Sequence, residues 1–103
     1  MNIVFFQVGE TIIAVHTYEK ATSFSKNATW VLSDPGTSVK ITFYDPDGNA
    51  IEGETDKAMT KDSTGVYYYA FQTTGRAKGN YKALVVDTDG SQITHTPGGF
   101  TLE

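Results

Sequence analysis

Cysteine is absent from this 103-residue chain, which excludes disulfides, zinc–thiolate sites and thiol catalysis and leaves the redox compartment open. Basic residues are few: eight Lys and Arg stand against twelve Asp and Glu, a net charge of −4. Those charges are scattered, without the clustered Lys and Arg that a nucleic-acid surface shows. No apolar run approaches the roughly 18–20 residues that a helix needs to span a bilayer. The longest early run, Ile3–Phe6, lacks the basic start and cleavage signature of a signal peptide. Helical periodicity is missing throughout. At this length a second core would leave too little buried surface for either half, so residues 1–103 are expected to form one domain.

What is present is a Tyr-, Phe-, Val- and Thr-rich chain, the composition of β-structure. Two segments, Val66–Thr73 and Asn80–Asp87, form its expected centre. Tyr67, Tyr69 and Phe71 fall on one face of the first, with Val66, Tyr68 and Ala70 on the other. In the second, Tyr81, Ala83 and Val85 oppose Lys82, Leu84 and Val86. Ser38–Asp45 alternates most cleanly, with Val39, Ile41 and Phe43 against Lys40, Thr42 and Tyr44. Further strands are expected at Thr11–Tyr18, Ala28–Leu32, Ala50–Glu54 and Ala58–Thr60, the last with Met59 inward, and Glu19–Ala28 reads as a loop.

Asp89-Gly90 supplies a two-residue hairpin signal, setting Val86 opposite Ile93 and Leu84 opposite His95. Pro97-Gly98-Gly99 is expected to break that strand before a short last one through Phe100 and Leu102. Ile3–Phe6 does not alternate, so both of its faces seek burial. Residues 1–8 are then either a first, edge strand covered by a loop or an arm that packs on a neighbouring subunit. About seven to nine short strands with regular turn signals point to an all-β fold, an antiparallel sandwich of two sheets. Its expected core is Val39, Ile41, Phe43, Ile51, Met59, Tyr67, Tyr69, Phe71, Tyr81, Ala83, Val85, Phe100 and Leu102.

Four pieces carry a resemblance: Asp45-Pro46-Asp47-Gly48, Gly65-Val66-Tyr67, Gly79-Asn80-Tyr81 running to Val85, and Phe100-Thr101-Leu102. From Val39 onward the chain resembles the immunoglobulin-like β-sandwich modules of bacteria and their phages. Asp62, Gly65 and Tyr67 are similar to the tyrosine corner, with the Asp one residue further upstream than in antibody domains. Tyr69 stands where those domains place a disulfide cysteine. The resemblance implies a fold and a non-enzymatic role. Modules of this look decorate capsids, tails or adhesins, and a short, cysteine-free chain without an export signal points to a virion protein.

Candidate chemistry is thin. Asp45, Asp47 and Asn49 stand at the first ligand spacings of a calcium loop, but Ala50 replaces the Gly of its bend and Asp56 the closing Glu. Glu52 and Glu54 would share a strand face as solvated edge charges. His16 has no second His or nearby carboxylate at ligand spacing and reads as a strand-face histidine. Asn27-Ala28-Thr29 matches the glycosylation acceptor pattern, without an export signal to make use of it. No catalytic residue, metal or cofactor is assigned.

Function is therefore sought on surfaces. The candidate interface comprises Ile3, Phe5 and Phe6 of the arm with Tyr68, Leu84, Val86 and Ile93, an apolar patch opposite the core face. The alternative is that Thr11–Tyr18 or the arm covers that patch. A second candidate surface is aromatic: Trp30, Tyr44 and Tyr68, expected outward and suited to stacking on sugar rings. The expected partners are proteins, copies of the chain itself or a larger assembly, with neither nucleic acid nor membrane among them. A glycan or receptor ligand is the alternative reading.

Overall fold

The computed structural model describes residues 4–21 and 29–103, with the backbone alone for Val4 and Phe5. Ten strands form among the described residues: β1 (Val4–Phe6), β2 (Thr11–Thr17), β3 (Glu19–Ala21), β4 (Trp30–Leu32), β5 (Ser38–Tyr44), β6 (Lys57–Ala58), β7 (Thr60–Ser63), β8 (Val66–Gln72), β9 (Gly79–Asp89) and β10 (Gln92–Leu102). A five-stranded sheet runs β1-β10-β9-β5-β6, a three-stranded sheet β2-β8-β7, and β3-β4 makes a separate ribbon. The neighbours are antiparallel except β1, which lies parallel to β10.

The inward faces of the two main sheets meet in one core. Phe43 of β5 stacks on Phe71 of β8 at 4.2 Å between ring centroids, and Tyr81 stacks on Phe100 at 5.2 Å. Such contacts add about 0.5–1.5 kcal/mol each to the burial of the rings. The expected core residues Val39, Ile41, Phe43, Met59, Tyr67, Phe71, Tyr81, Val85, Phe100 and Leu102 are buried. Ile51, Tyr69 and Ala83 pack against them half-buried, and Ile12 of β2 joins the core.

Several expectations change. The strands number ten because short pairings on either side of Met59 form separate elements and Glu19–Ala21 pairs with β4 in place of a loop. Ala50–Glu54 is not a strand; one bridge, Tyr44 to Ala50, is all that the segment contributes. The β9–β10 hairpin turns at Gly90-Ser91, so Val86 lies opposite His95, Leu84 opposite Pro97, and Ile93 opposite Thr88. Asp89 ladders with Gln92, shifting the register by two residues and preserving which face each side chain takes. Pro97 does not break β10, which continues through Leu102. At that point β10 borders its sheet, and an edge strand tolerates the missing N–H.

The corner tyrosine also moves. Tyr67 donates not within its own turn but to Asp34, at 2.8 Å. Tyr81, at the start of β9, donates instead to the Ala77 carbonyl four residues upstream, at 2.6 Å. Asp62 has no part in either bond.

Candidate interaction surface

The three-stranded sheet turns Ile12, Ala14 and His16 of β2 inward together with Tyr67, Tyr69 and Phe71 of β8. Strand alternation then sends Thr11, Ile13, Val15 and Thr17 outward, registered against Gln72, Ala70, Tyr68 and Val66. Not one of these eight outward residues is charged. Ile13 is 54% exposed, Val15 66% and Tyr68 38%, and Val15 sits directly opposite Tyr68. Thr60 of β7 flanks Tyr68 on the far side. The outer face of β2 and β8 is thus neutral and largely apolar, with the exposed Lys61 and Asp62 confined to the neighbouring β7, where a face without a partner ordinarily carries charge.

The patch expected on the large sheet is weaker. Leu84 and Val86 are half-buried, and Ile93, 60% exposed, lies toward the hairpin end beside Thr88. Lys40 stands opposite Val86, and Lys82 opposite Tyr44, so charge interrupts that face. Neither expected cover lies over it: β2 belongs to the other sheet, and β1 pairs with the far border of β10. The arm resolves into an edge strand, with Phe6 half-buried in a T-shaped contact with Phe100 at 6.2 Å. Phe6 is therefore part of its own domain's core. Ile3 and the Phe5 side chain lie outside the described residues, as do Asn27 and Ala28 of the acceptor pattern.

Trp30, Tyr44 and Tyr68 do not share a platform. Tyr44 lies on the large sheet, Tyr68 on the small one, and Trp30 on the β3–β4 ribbon. Trp30 is 66% exposed at the mouth of a groove of about 550 Å³ whose lining includes Lys20, Asp89, Gln92 and Thr94. Lys20 and Asp89 form an ion pair there, at 2.7 Å. Their hydrogen bond raises the Lys20 pKa, and together with the Gly36 N–H it lowers that of Asp89.

Asp34, in the loop after β4, is a polar node at the β7–β8 turn. It accepts from Lys61 Nζ at 2.7 Å, from the Gly65 N–H at 2.9 Å and from the Tyr67 hydroxyl. These donors hold its carboxyl down at about 2. Burial, then Asp34 itself, pushes the Tyr67 hydroxyl up to about 12. Tyr69 is likewise pushed up to about 12, by burial and by its bond to Glu54 Oε2 at 2.7 Å. Glu54 is thus engaged by a tyrosine rather than paired with Glu52. Asp45 Oδ1 accepts from the N–H groups of Asp47 and Asn49, which makes it the cap of a turn. Among the described residues, no group of three or more His, Cys, Asp or Glu is placed to hold a metal ion.

His16 is buried and has a carboxylate partner after all: its Nε2 lies 2.8 Å from Asp87 Oδ2. The two residues are 71 positions apart, a separation beyond any motif. No nucleophile is hydrogen-bonded to the imidazole among the described residues. The buried pair ties β2 to β9 across the two sheets, with His16 lining one surface groove and Asp87 another.

No known protein family, curated protein or solved structure matches the chain.

Proposed function

We propose that this protein is a non-enzymatic structural module that works through protein contact, by self-association or by docking on a larger assembly. The observation that carries this reading is the neutral outer face of β2 and β8, where Ile13, Val15 and Tyr68 stand exposed. Leaving those side chains in water forfeits about 25 cal/mol for each Å² of apolar surface, a gain that a partner's apolar surface would recover. The candidate interface accordingly moves from Leu84, Val86 and Ile93 to the small sheet, with Tyr68 common to both.

Two observations support the immunoglobulin-like reading. The Tyr81 bond to the Ala77 carbonyl has the form of a tyrosine corner. Taking β2, β5, β7, β8, β9 and β10 as strands B to G, the sheet orders become B-E-D and C-F-G. On that reading a virion setting, as capsid decoration, head or tail protein, follows by resemblance.

The test is sedimentation from low micromolar to near-millimolar concentration, together with recovery of the protein on large particles from its source. Tyr68→Lys is expected to abolish the association and Leu84→Lys to leave it unchanged. A monomer throughout, recovered on no particle, overturns the proposal.

A second reading, a carbohydrate- or receptor-binding domain, is favoured by Trp30 alone, exposed beside the polar groove of Gln92 and Thr94. Trp30 is the only tryptophan, so its fluorescence reports directly on stacking in a glycan titration. A flat response across a broad panel discards this reading.

A further inference from the structure

Sheet borders that stay unpaired are ordinarily protected by shortness, by Lys or Pro, or by a bulge. Most borders of this molecule carry such a device. β7 has four residues, with Lys61 and Asp62 among them and a bulge between Lys61 and Ser63. The free part of the β10 border contains Pro97. β1 has three residues, and β6 has two. The β5 border is taken up by backbone bonds from Phe43, Ile51 and Met59 to and from the 51–59 segment.

β2 has none of these protections. Its seven residues, Thr-Ile-Ile-Ala-Val-His-Thr, include no Pro, Gly, Lys or bulge, and five are β-branched. One border bonds to β8; no described strand pairs with the other. Beside that free border runs a groove of about 320 Å³, lined among others by Ile12, Ala14, His16, Val85 and Gly98.

We propose that a second copy of this chain adds its own β2 antiparallel to this border, joining two three-stranded sheets into one sheet of six strands about a two-fold axis. The inference rests on the contact function proposed above and names a partner for the β2 edge; the joined outer faces remain open for a further contact with the larger assembly.

The sequence of β2 is self-complementary in that arrangement. Pairing all seven residues places the axis at Ala14 and sets Thr11 against Thr17, Ile13 against Val15, and Ile12 against His16 of the other copy. Cross-strand β-branched pairs of this kind contribute about 0.2–1 kcal/mol each. Moving the axis to Ile13 or Val15 shortens the ladder. Any shift that pairs odd with even positions drives Ile13 and Val15 to the wrong face. In the full register, the uncharged outer faces of the two copies become one continuous surface, and no like charges on β2 or β8 oppose the approach.

The contact is small. A strand of seven residues is about 23 Å long and a sheet about 10 Å deep, so the edge buries a few hundred Å². That falls short of the roughly 800 Å² per partner of a standard stable interface. The expected dimer is therefore weak and concentration-dependent, suited to an array in which other contacts add to it.

The chain has no native cysteine, so introduced thiols report on the register cleanly. Ile13→Cys and Val15→Cys proteins, mixed and oxidised near millimolar concentration, are expected to form mainly the mixed disulfide. Val15→Lys is expected to abolish dimerisation while far-UV circular dichroism stays unchanged. No cross-link at any concentration overturns the edge pairing, as does a preference for either like pair. If Tyr68→Lys abolishes association while Val15→Lys and the cross-linking show no edge contact, the face stacks flat on its partner. The contact function then stands and this inference falls.

Discussion

His16 Nε2 and Asp87 Oδ2, 2.8 Å apart, join β2 to β9 through a side-chain hydrogen bond in which both partners are buried. A carboxylate can only accept, so the imidazole nitrogen carries the shared proton. Asp87 Oδ1 has no hydrogen-bond partner among the described residues, so the carboxylate depends on His16 for its compensation. His16→Leu is expected to destabilise the fold by about 3–5 kcal/mol, the usual consequence of stranding a buried charge. Adding Asp87→Val to it should recover most of the loss. Urea unfolding of the two variants beside the wild type checks this, and equal losses in both would show that the contact is not what stabilises the pair.

Asp34 should contribute to acid stability, by an amount that solvent screening at its partly exposed site keeps modest. Its folded pKa of about 2 lies below the ordinary carboxylate value of 3.8, so its contribution is complete above about pH 4. That contribution is lost as pH falls from about 4 toward 2. Asp34→Asn removes the Lys61 ion pair and should flatten this part of the stability–pH curve, measured by thermal melts.

At alkaline pH the sign reverses. Tyr67 and Tyr69 have folded pKa values of about 12 against the ordinary tyrosine value of 10.0. Because the protonated form is favoured in the fold, their stabilisation is present below about pH 10 and fades as pH rises through about 12. Ultraviolet titration should show part of the tyrosine absorbance change delayed, and Tyr67→Phe with Tyr69→Phe should remove most of the delayed fraction.

Gly65 and Gly75 have nearly equal positive φ, 74° and 76°, in opposite surroundings. A Cβ at Gly65 would come within 2.8 Å of the Ser33 nitrogen and the Tyr18 oxygen, while one at Gly75 meets nothing within 4 Å. Gly75→Ala should cost only the conformational term, about 1–2 kcal/mol. Gly65→Ala should cost more by about 2 kcal/mol or over, because two backbone segments must move apart. Equal melting temperatures for the two variants would contradict this.

The strands that alternate were legible from residues alone. Val39, Ile41 and Phe43, like Tyr67 and Phe71, show their inward faces in the spacing itself, and they are buried. What spacing does not carry is partner choice. Thr11–Tyr18 reads as a strand, yet nothing local says that it pairs with β8 rather than covering Leu84 and Val86. The sequence therefore points to Leu84, Val86 and Ile93 and leaves the exposed Ile13 and Val15 of β2 unread. Asp34 looks like turn chemistry beside Pro35 and Gly36, and its bonds to Lys61, Gly65 and Tyr67 exist only once distant turns meet. His16 and Asp87 were hidden in the same way, by distance along the chain. Pro97 reads as a strand breaker because an edge position, where its missing N–H costs nothing, is a property of the assembled sheet.

Amide hydrogen exchange of β2 at two protein concentrations tests the central claim most directly. With β2 as the contact edge, exchange across Thr11–Thr17 should slow markedly from low micromolar to near-millimolar concentration, while β7 stays unchanged. Exchange in β2 that is independent of concentration, with the protection appearing on Leu84, Val86 and their neighbours instead, would contradict the account.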